Sequence, residues 1–165
     1  MTPPDAEAKV LRALEDLGIA YVRHEHPPVF TVEEAERHWR NVPGAHCKNL
    51  FLRNNKGNRH YLVIVEASKR VDLKDLTRKL KEDRLSFGSP QRLGRYLGIE
   101  PGSVSPFALI NDPNKEVRVV VDRGLKSSGH VSFHPNVNTA TLSISFPDFE
   151  KFLASCGHKT EFLEI

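Results

Sequence analysis

Two cysteines, Cys47 and Cys156, are all that the 165 residues contain. That is too few for a disulfide scaffold. No apolar run approaches the ~20 residues a helix needs to cross a bilayer. The opening Met1-Thr2-Pro3-Pro4-Asp5 lacks the basic and apolar regions of a signal peptide. A cytosolic, reduced protein is therefore expected. Catalytic signatures are missing too. There is no G-x-G-x-x-G and no Walker loop, so neither a dinucleotide nor a nucleoside triphosphate site is indicated. There is no G-x-S-x-G elbow. His24 and His26, and His130 and His134, have metal-like spacing. For neither pair does the sequence make a third ligand obvious, so no metal and no cofactor are expected.

What remains is ordinary globular material. Hydrophobic residues make up 39% and charged residues 27%, enough for one domain with a real core and against disorder. The net charge is +3 and the pI is near 8.9. An anionic partner fits this balance without being required by it. Local clustering says more: Arg70, Lys74, Arg78, Lys79, Lys81, Arg84, Arg92 and Arg95 fall in one short span. Such residues are usually solvated helix faces, but a cationic surface also suits an anionic partner.

Apolar periodicity predicts a helix over 5–17 closed by Gly18, and a short strand over 19–22. Thr31 and Glu34 form a capping box for a helix running to about Arg40. Strands are expected at 48–52 and 60–65, joined as a hairpin by Asn54-Asn55-Lys56-Gly57-Asn58. Asp72 caps a helix, and Ser89-Pro90 starts another that ends before Gly98. Extended structure is read over 104–110, interrupted by Pro106. The most apolar strand, 117–121, is expected to be central. Residues 139–145 alternate as a strand with one polar face. A closing helix over 147–156 and an edge strand over 160–163 complete an α/β domain with a mixed sheet.

Three stretches look out of place as scaffold: His46-Cys47-Lys48-Asn49-Leu50-Phe51-Leu52, Gly102-Ser103-Val104-Ser105-Pro106, and His130 to Asn138. A cation entering a buried strand is costly unless something anionic or electron-rich meets it, which marks Lys48 as the rim of a pocket. Cys47 alternates away from the Lys48 face and reads as a buried structural thiol. Glycine and proline make the second stretch a stiff loop that can offer backbone N–H groups.

Together with His26-Pro27-Pro28-Val29-Phe30-Thr31, these stretches resemble the YbaK/prolyl-tRNA-synthetase-associated editing family. Within it they are most similar to the freestanding alanyl-tRNA(Pro) deacylases of the ProXp-ala (PrdX) type. The resemblance spans the chain from about Ala8 to Leu153 and rests on three motifs in the right order and spacing. It implies a single domain over 1–165 with a mixed, curved sheet flanked by helices. It also implies hydrolysis of the ester joining a wrong amino acid to the 3′-adenosine of proline tRNA. In that family the mechanism is largely substrate-assisted, through the ribose 2′-hydroxyl, and uses no metal or cofactor.

The resemblance assigns catalytic roles to Lys48, Gly102 and His134. Substrate contacts are expected from Thr31, Asn49, Ser103, Val104, Ser105, Pro106, His130, Asn136 and Asn138. Arg78, Lys79, Lys81, Arg84, Arg92 and Arg95 are the candidate tRNA contacts. Bland readings stand beside these: Thr31 is accounted for by capping, and Asn136 and Asn138 are natural turn residues. The expected partners are the acceptor end of mischarged tRNA(Pro) and, transiently, prolyl-tRNA synthetase. A monomer is expected. Alanine is the favoured amino acid, with cysteine or serine as alternatives. A non-catalytic tRNA-binding module is the competing class.

Overall fold

The computed structural model describes residues 3–28, 34, 37, 42 and 44–165. The expected capping box at Thr31 and most of the helix after it lie outside these residues. The described elements are α1 (Pro3–Asp16), β1 (Val22–Glu25), β2 (Ala45–Asn54), β3 (His60–Glu66), α2 (Leu73–Lys79), β4 (Leu85–Phe87), α3 (Pro90–Leu97), β5 (Val117–Asp122), β6 (His130–Phe133), β7 (Ala140–Ser145), α4 (Phe146–Cys156) and β8 (Thr160–Leu163). They build one mixed sheet in the order β1-β7-β6-β2-β3-β5-β8, with β4 added to β2. No helix among the described residues is long and apolar enough to cross a membrane.

Local chemistry explains most boundaries. The Asp72 carboxylate accepts from the Lys74 and Asp75 amides, and Ser89 Oγ accepts from the Arg92 amide. Both satisfy donors that a helix start leaves unpaired. Gly98 and Gly157 close α3 and α4 in left-handed backbone, where a Cβ is unwelcome. The β2–β3 hairpin pairs Cys47–Arg53 with His60–Glu66, as the polar connector predicted.

Three expectations are corrected. The first strand is Val22–Glu25 rather than 19–22, because Ile19 is buried in the core instead. Residues 101–103 and 106–111 are 3-10 turns, not strand: Ser105 Oγ accepts from the Phe107 amide, and Pro106 opens the second turn. Strand β5 is interior but next to the edge strand β8, not central. The alternation expected in β7 holds, and Thr141 and Ser143 on its polar face are buried.

Alternation along β2 feeds two cores. Cys47 and Phe51 enter a large cluster formed with α1, α3 and α4, including Leu14, Leu97, Phe107, Phe133 and Phe149. Leu50 and Leu52 join a smaller cluster on the opposite face with Val63, Val65 and Leu76 of α2. Burying the Cys47 thiol pushes its pKa up to about 12, which suits a structural cysteine and not a nucleophile.

His60 opens β3 in the large core. It is 1% exposed, with its ring 5.6 Å from Phe51 and 4.0 Å from Tyr96. Arg92 Nη1 lies 3.0 Å from its Nε2. Burial first, then Arg92, Arg53 and Arg95, pulls its pKa down to about 4. The unfolded state therefore binds a proton near pH 6.5 that the folded state refuses until about pH 4. Its contribution is present above pH 6.5 and is lost as pH falls. By pH 4.5 the wild type is expected to have lost about 2.5 kcal/mol more than His60→Gln, relative to pH 7. Urea unfolding of both proteins across that range checks it; parallel curves would refute it.

Candidate active site

The three stretches come together where the sheet divides. Strand β2 runs parallel to β6 for only two pairs, Ala45 with Val131 and His46 with Ser132. Beyond that point the two strands part, and β4 joins the same edge of β2 only from Leu52 onward. Gly44 seals the start of this ladder. Its φ is +92°, and a Cβ there would lie 2.5 Å from the His130 backbone oxygen, so no side chain fits.

Two residues past the last β2–β6 pair, His46 with Ser132, come Lys48 along one chain segment and His134 along the other. By alternation both share the face of His46 and Ser132, whose side chains meet at 2.9 Å. The Lys48 ammonium has no partner among the described residues. It lines an open groove rather than the core.

The loop at 102–106 is fixed to both diverging strands. Asn49 Nδ2 donates to the Val104 carbonyl at 3.2 Å, tying it to β2. The Phe107 ring meets Phe133 edge-on at 5.7 Å, tying it to the residue before His134. Gly102 sits within a 3-10 turn, and its backbone is not left-handed. Ser103, Ser105 and Pro106 are buried, so the loop is a rigid wall.

His134 is held in one tautomer. Its Nδ1 lies 2.9 Å from the Ala140 carbonyl, which can only accept, so Nδ1 carries the proton and Nε2 keeps a lone pair. Burial, the dominant cause, lowers its pKa, with His26 adding to that and Ala140 opposing it. The ring is therefore neutral at pH 7. His26 stands edge-on at 5.8 Å, with Nδ1 on the Pro27 carbonyl and Nε2 accepting from the Thr141 hydroxyl. His26 and Thr141 are thus positioning residues that sequence reasoning did not assign; the histidine-proline pair was its only visible signal.

The other expected contacts divide. Asn136 is buried in left-handed backbone, φ +61°. Its Oδ1, like Asn49 Oδ1, is buried without a hydrogen-bond partner. Buried acceptors of this kind are rare unless a ligand completes them. His130 is exposed at the start of β6, and Asn138 is half-buried in the turn after it. Thr31 lies outside the described residues. Among the basic residues, Arg92 is committed internally, donating to the Gly57 carbonyl at 3.1 Å and lying against His60. Arg78 and Lys79 pair with Asp75. Arg95 covers the Tyr96 ring at 5.4 Å, while Lys81 and Arg84 are exposed. Among the described residues no three His, Cys, Asp or Glu side chains stand together as a metal site would require.

Near the point where the α/β sheet divides stand a neutral histidine, a lysine without a partner among the described residues and two buried amide oxygens left without hydrogen bonds. The aminoacyl-tRNA editing domain family matches residues 26–152, and the chain belongs to that family. The prolyl-tRNA editing protein ProX of Acetoanaerobium sticklandii is 41% identical over 161 residues, 98% of each chain. A prolyl-tRNA synthetase associated domain-containing protein 1 of Xenopus laevis is 37% identical, covering 93% of this chain and 94% of that one. The fold is shared, at a TM-score of 0.70 and 23% identity, with a solved structure described as a candidate trans-editing enzyme for prolyl tRNA synthetase. That match covers 100% of this chain and 99% of the other.

The Asn49–Val104 hydrogen bond gives a local test. Asn49→Ala is expected to raise amide exchange in residues 102–106 about fivefold, while the global unfolding midpoint moves by less than about 1 kcal/mol. Unchanged exchange in that loop would show that other contacts hold it.

Proposed function

We propose that this chain is a trans-editing deacylase that hydrolyses the ester of alanine mischarged onto tRNA(Pro). Its relatives at 41% and 37% identity carry names tied to prolyl-tRNA editing and prolyl-tRNA synthetase. The observation that supports the reading is that Lys48 and His134 each follow by two residues the last β2–β6 pair, where the His46 and Ser132 side chains meet at 2.9 Å.

An aminoacyl ester is already activated, so no protein nucleophile is needed. The Lys48 ammonium supplies positive charge to the ester carbonyl oxygen, or to the terminal phosphate beside it. Water, or water ordered by the ribose 2′-hydroxyl, attacks the carbonyl carbon. Neutral His134, through Nε2, is fit to take the proton released and to return it to the leaving 3′-oxygen. The products are free alanine and tRNA with its 3′-hydroxyl restored. Asn49 Oδ1 and Asn136 Oδ1 are unfilled acceptors for the substrate's ammonium or hydroxyl hydrogens. A pocket sized for proline cannot strongly reject a smaller side chain, so the synthetase's error needs a second site of this type. The protein acts in the cytoplasm as a monomer that meets the synthetase only transiently.

The test is a panel of labelled alanyl-, cysteinyl-, seryl- and prolyl-tRNA(Pro), with Lys48→Ala alongside. Alanyl ester is expected to disappear fastest, and Lys48→Ala to lower kcat/KM about 100-fold. Loss no faster than in buffer, with tRNA binding retained, would leave a binding module in place of an enzyme. Faster loss of the cysteinyl or seryl ester would reassign the amino acid.

A further inference from the structure

The face that carries Lys48 continues into a surface that the acyl chemistry does not use. A groove runs from Lys48 along Leu50 to Phe87 on β4, walled by Val71 and Leu73, with Arg70 on its rim. Among the described residues no carboxylate lines it. The Phe87 side chain is 62% exposed; among the described residues Val22 is the one other large apolar side chain so exposed. Lys69 also borders the groove, but its ammonium is held by the Asp122 carboxylate at 2.7 Å. Arg70 is exposed and has no partner among the described residues.

The geometry sets the length of what fits. Phe87 pairs with Leu52, four residues beyond Lys48 on β2, so the groove extends about 13 Å from the lysine. An aromatic face, an unpaired guanidinium and an apolar floor free of carboxylates match single-stranded nucleic acid.

Resting on the deacylase reading above, we propose that this groove binds the single-stranded 3′ end of the tRNA. With the terminal adenosine and its ester at Lys48, the chain of preceding nucleotides lies along Leu50. Phe87 stacks on one of their bases, and Arg70 meets a phosphate. Stacking tolerates any base, so the groove supplies affinity and register for the ester but not identity for the tRNA. The aminoacyl group is chosen at the β2–β6 split, and the nucleotides are held here.

The experiment compares Phe87→Ala and Phe87→Trp with wild type in two assays. Binding of labelled, uncharged tRNA(Pro) by fluorescence anisotropy does not depend on hydrolysis. Phe87→Ala is expected to weaken it about tenfold, and Phe87→Trp to keep or improve it. In the second assay Phe87→Ala is expected to lower kcat/KM on alanyl-tRNA(Pro), through KM, about tenfold more than on 3′-alanyl-adenosine, which lacks the preceding nucleotides. Arg70→Ala should reduce the salt dependence of tRNA binding by about one phosphate contact. Unchanged tRNA affinity in Phe87→Ala overturns the proposal. So does an equal loss on both esters, which would mark Phe87 as structural, or a change only in self-association by sedimentation, which would make the groove a face between copies. A wild type that hydrolyses neither ester removes the deacylase reading, while the binding assay still decides the groove.

Discussion

The arrangement depends on one strand serving two ladders. Over two residues β2 pairs in parallel with β6, and from Cys47 onward it pairs antiparallel with β3. A strand cannot follow both neighbours once their twists diverge. The β2–β6 ladder therefore stops after His46, and between it and β4 an edge of β2 is left without a strand. A gap inside a sheet is ordinarily a cost, because backbone polar groups lose their partners. Here the gap is bordered by the cation, the neutral imidazole and the orphaned amide oxygens. Most of the sheet can be rigid because the opening is confined to this one place.

The supports around the opening are apolar or neutral, and their electrostatic effect follows from that. Phe107, Phe133, Phe149 and Phe152 form a chain of ring contacts from 4.9 to 5.7 Å beneath the loop and β6. Burial of His134 lowers its pKa, while the Ala140 carbonyl holds the tautomer. No carboxylate is recorded against the imidazole to hold it charged; its near neighbour is a second histidine, His26. In the proposed mechanism one cation stabilises an anion and one neutral base moves a proton, a division of roles that depends on environment.

Much of this was legible from local chemistry. Caps at Asp72 and Ser89, the glycines at 98 and 157, and the β2–β3 hairpin follow from residue types within a few positions of one another. The three motifs were visible as residues that fit poorly as scaffold, and the family resemblance gave them roles. The loop was misread as strand over 104–110, although Ser105-Pro106 repeats the Ser89-Pro90 signature of a helical start. There the apolar residues 107–110 outweighed the cap signal, and they proved to be a 3-10 turn driven into the core by Phe107. Polar alternation in β7 was read correctly as periodicity, but it did not reveal that the polar face is buried. Thr141 is buried because it receives His26, a partner 115 residues away.

What sequence could not supply is that Lys48 and His134 follow the same β2–β6 pair. Strand order and parallel register are set by contacts across some 86 residues, between His46 and Ser132, and no local propensity encodes them. The same holds for Phe87. In sequence it ends a three-residue strand, and only its pairing with Leu52 places it on the lysine's face at a distance that spans unpaired nucleotides. Two tasks are thereby separated along a single strand. Residues 48–49 stand at the split where an ester can be held, and residues 50–52 lead away from it along an apolar floor. If the strand had paired with β6 for its full length, the split would be closed and the floor would still exist, leaving nothing at its end for a nucleotide chain to deliver. The early end of one short ladder is thus what makes the two surfaces parts of the same site.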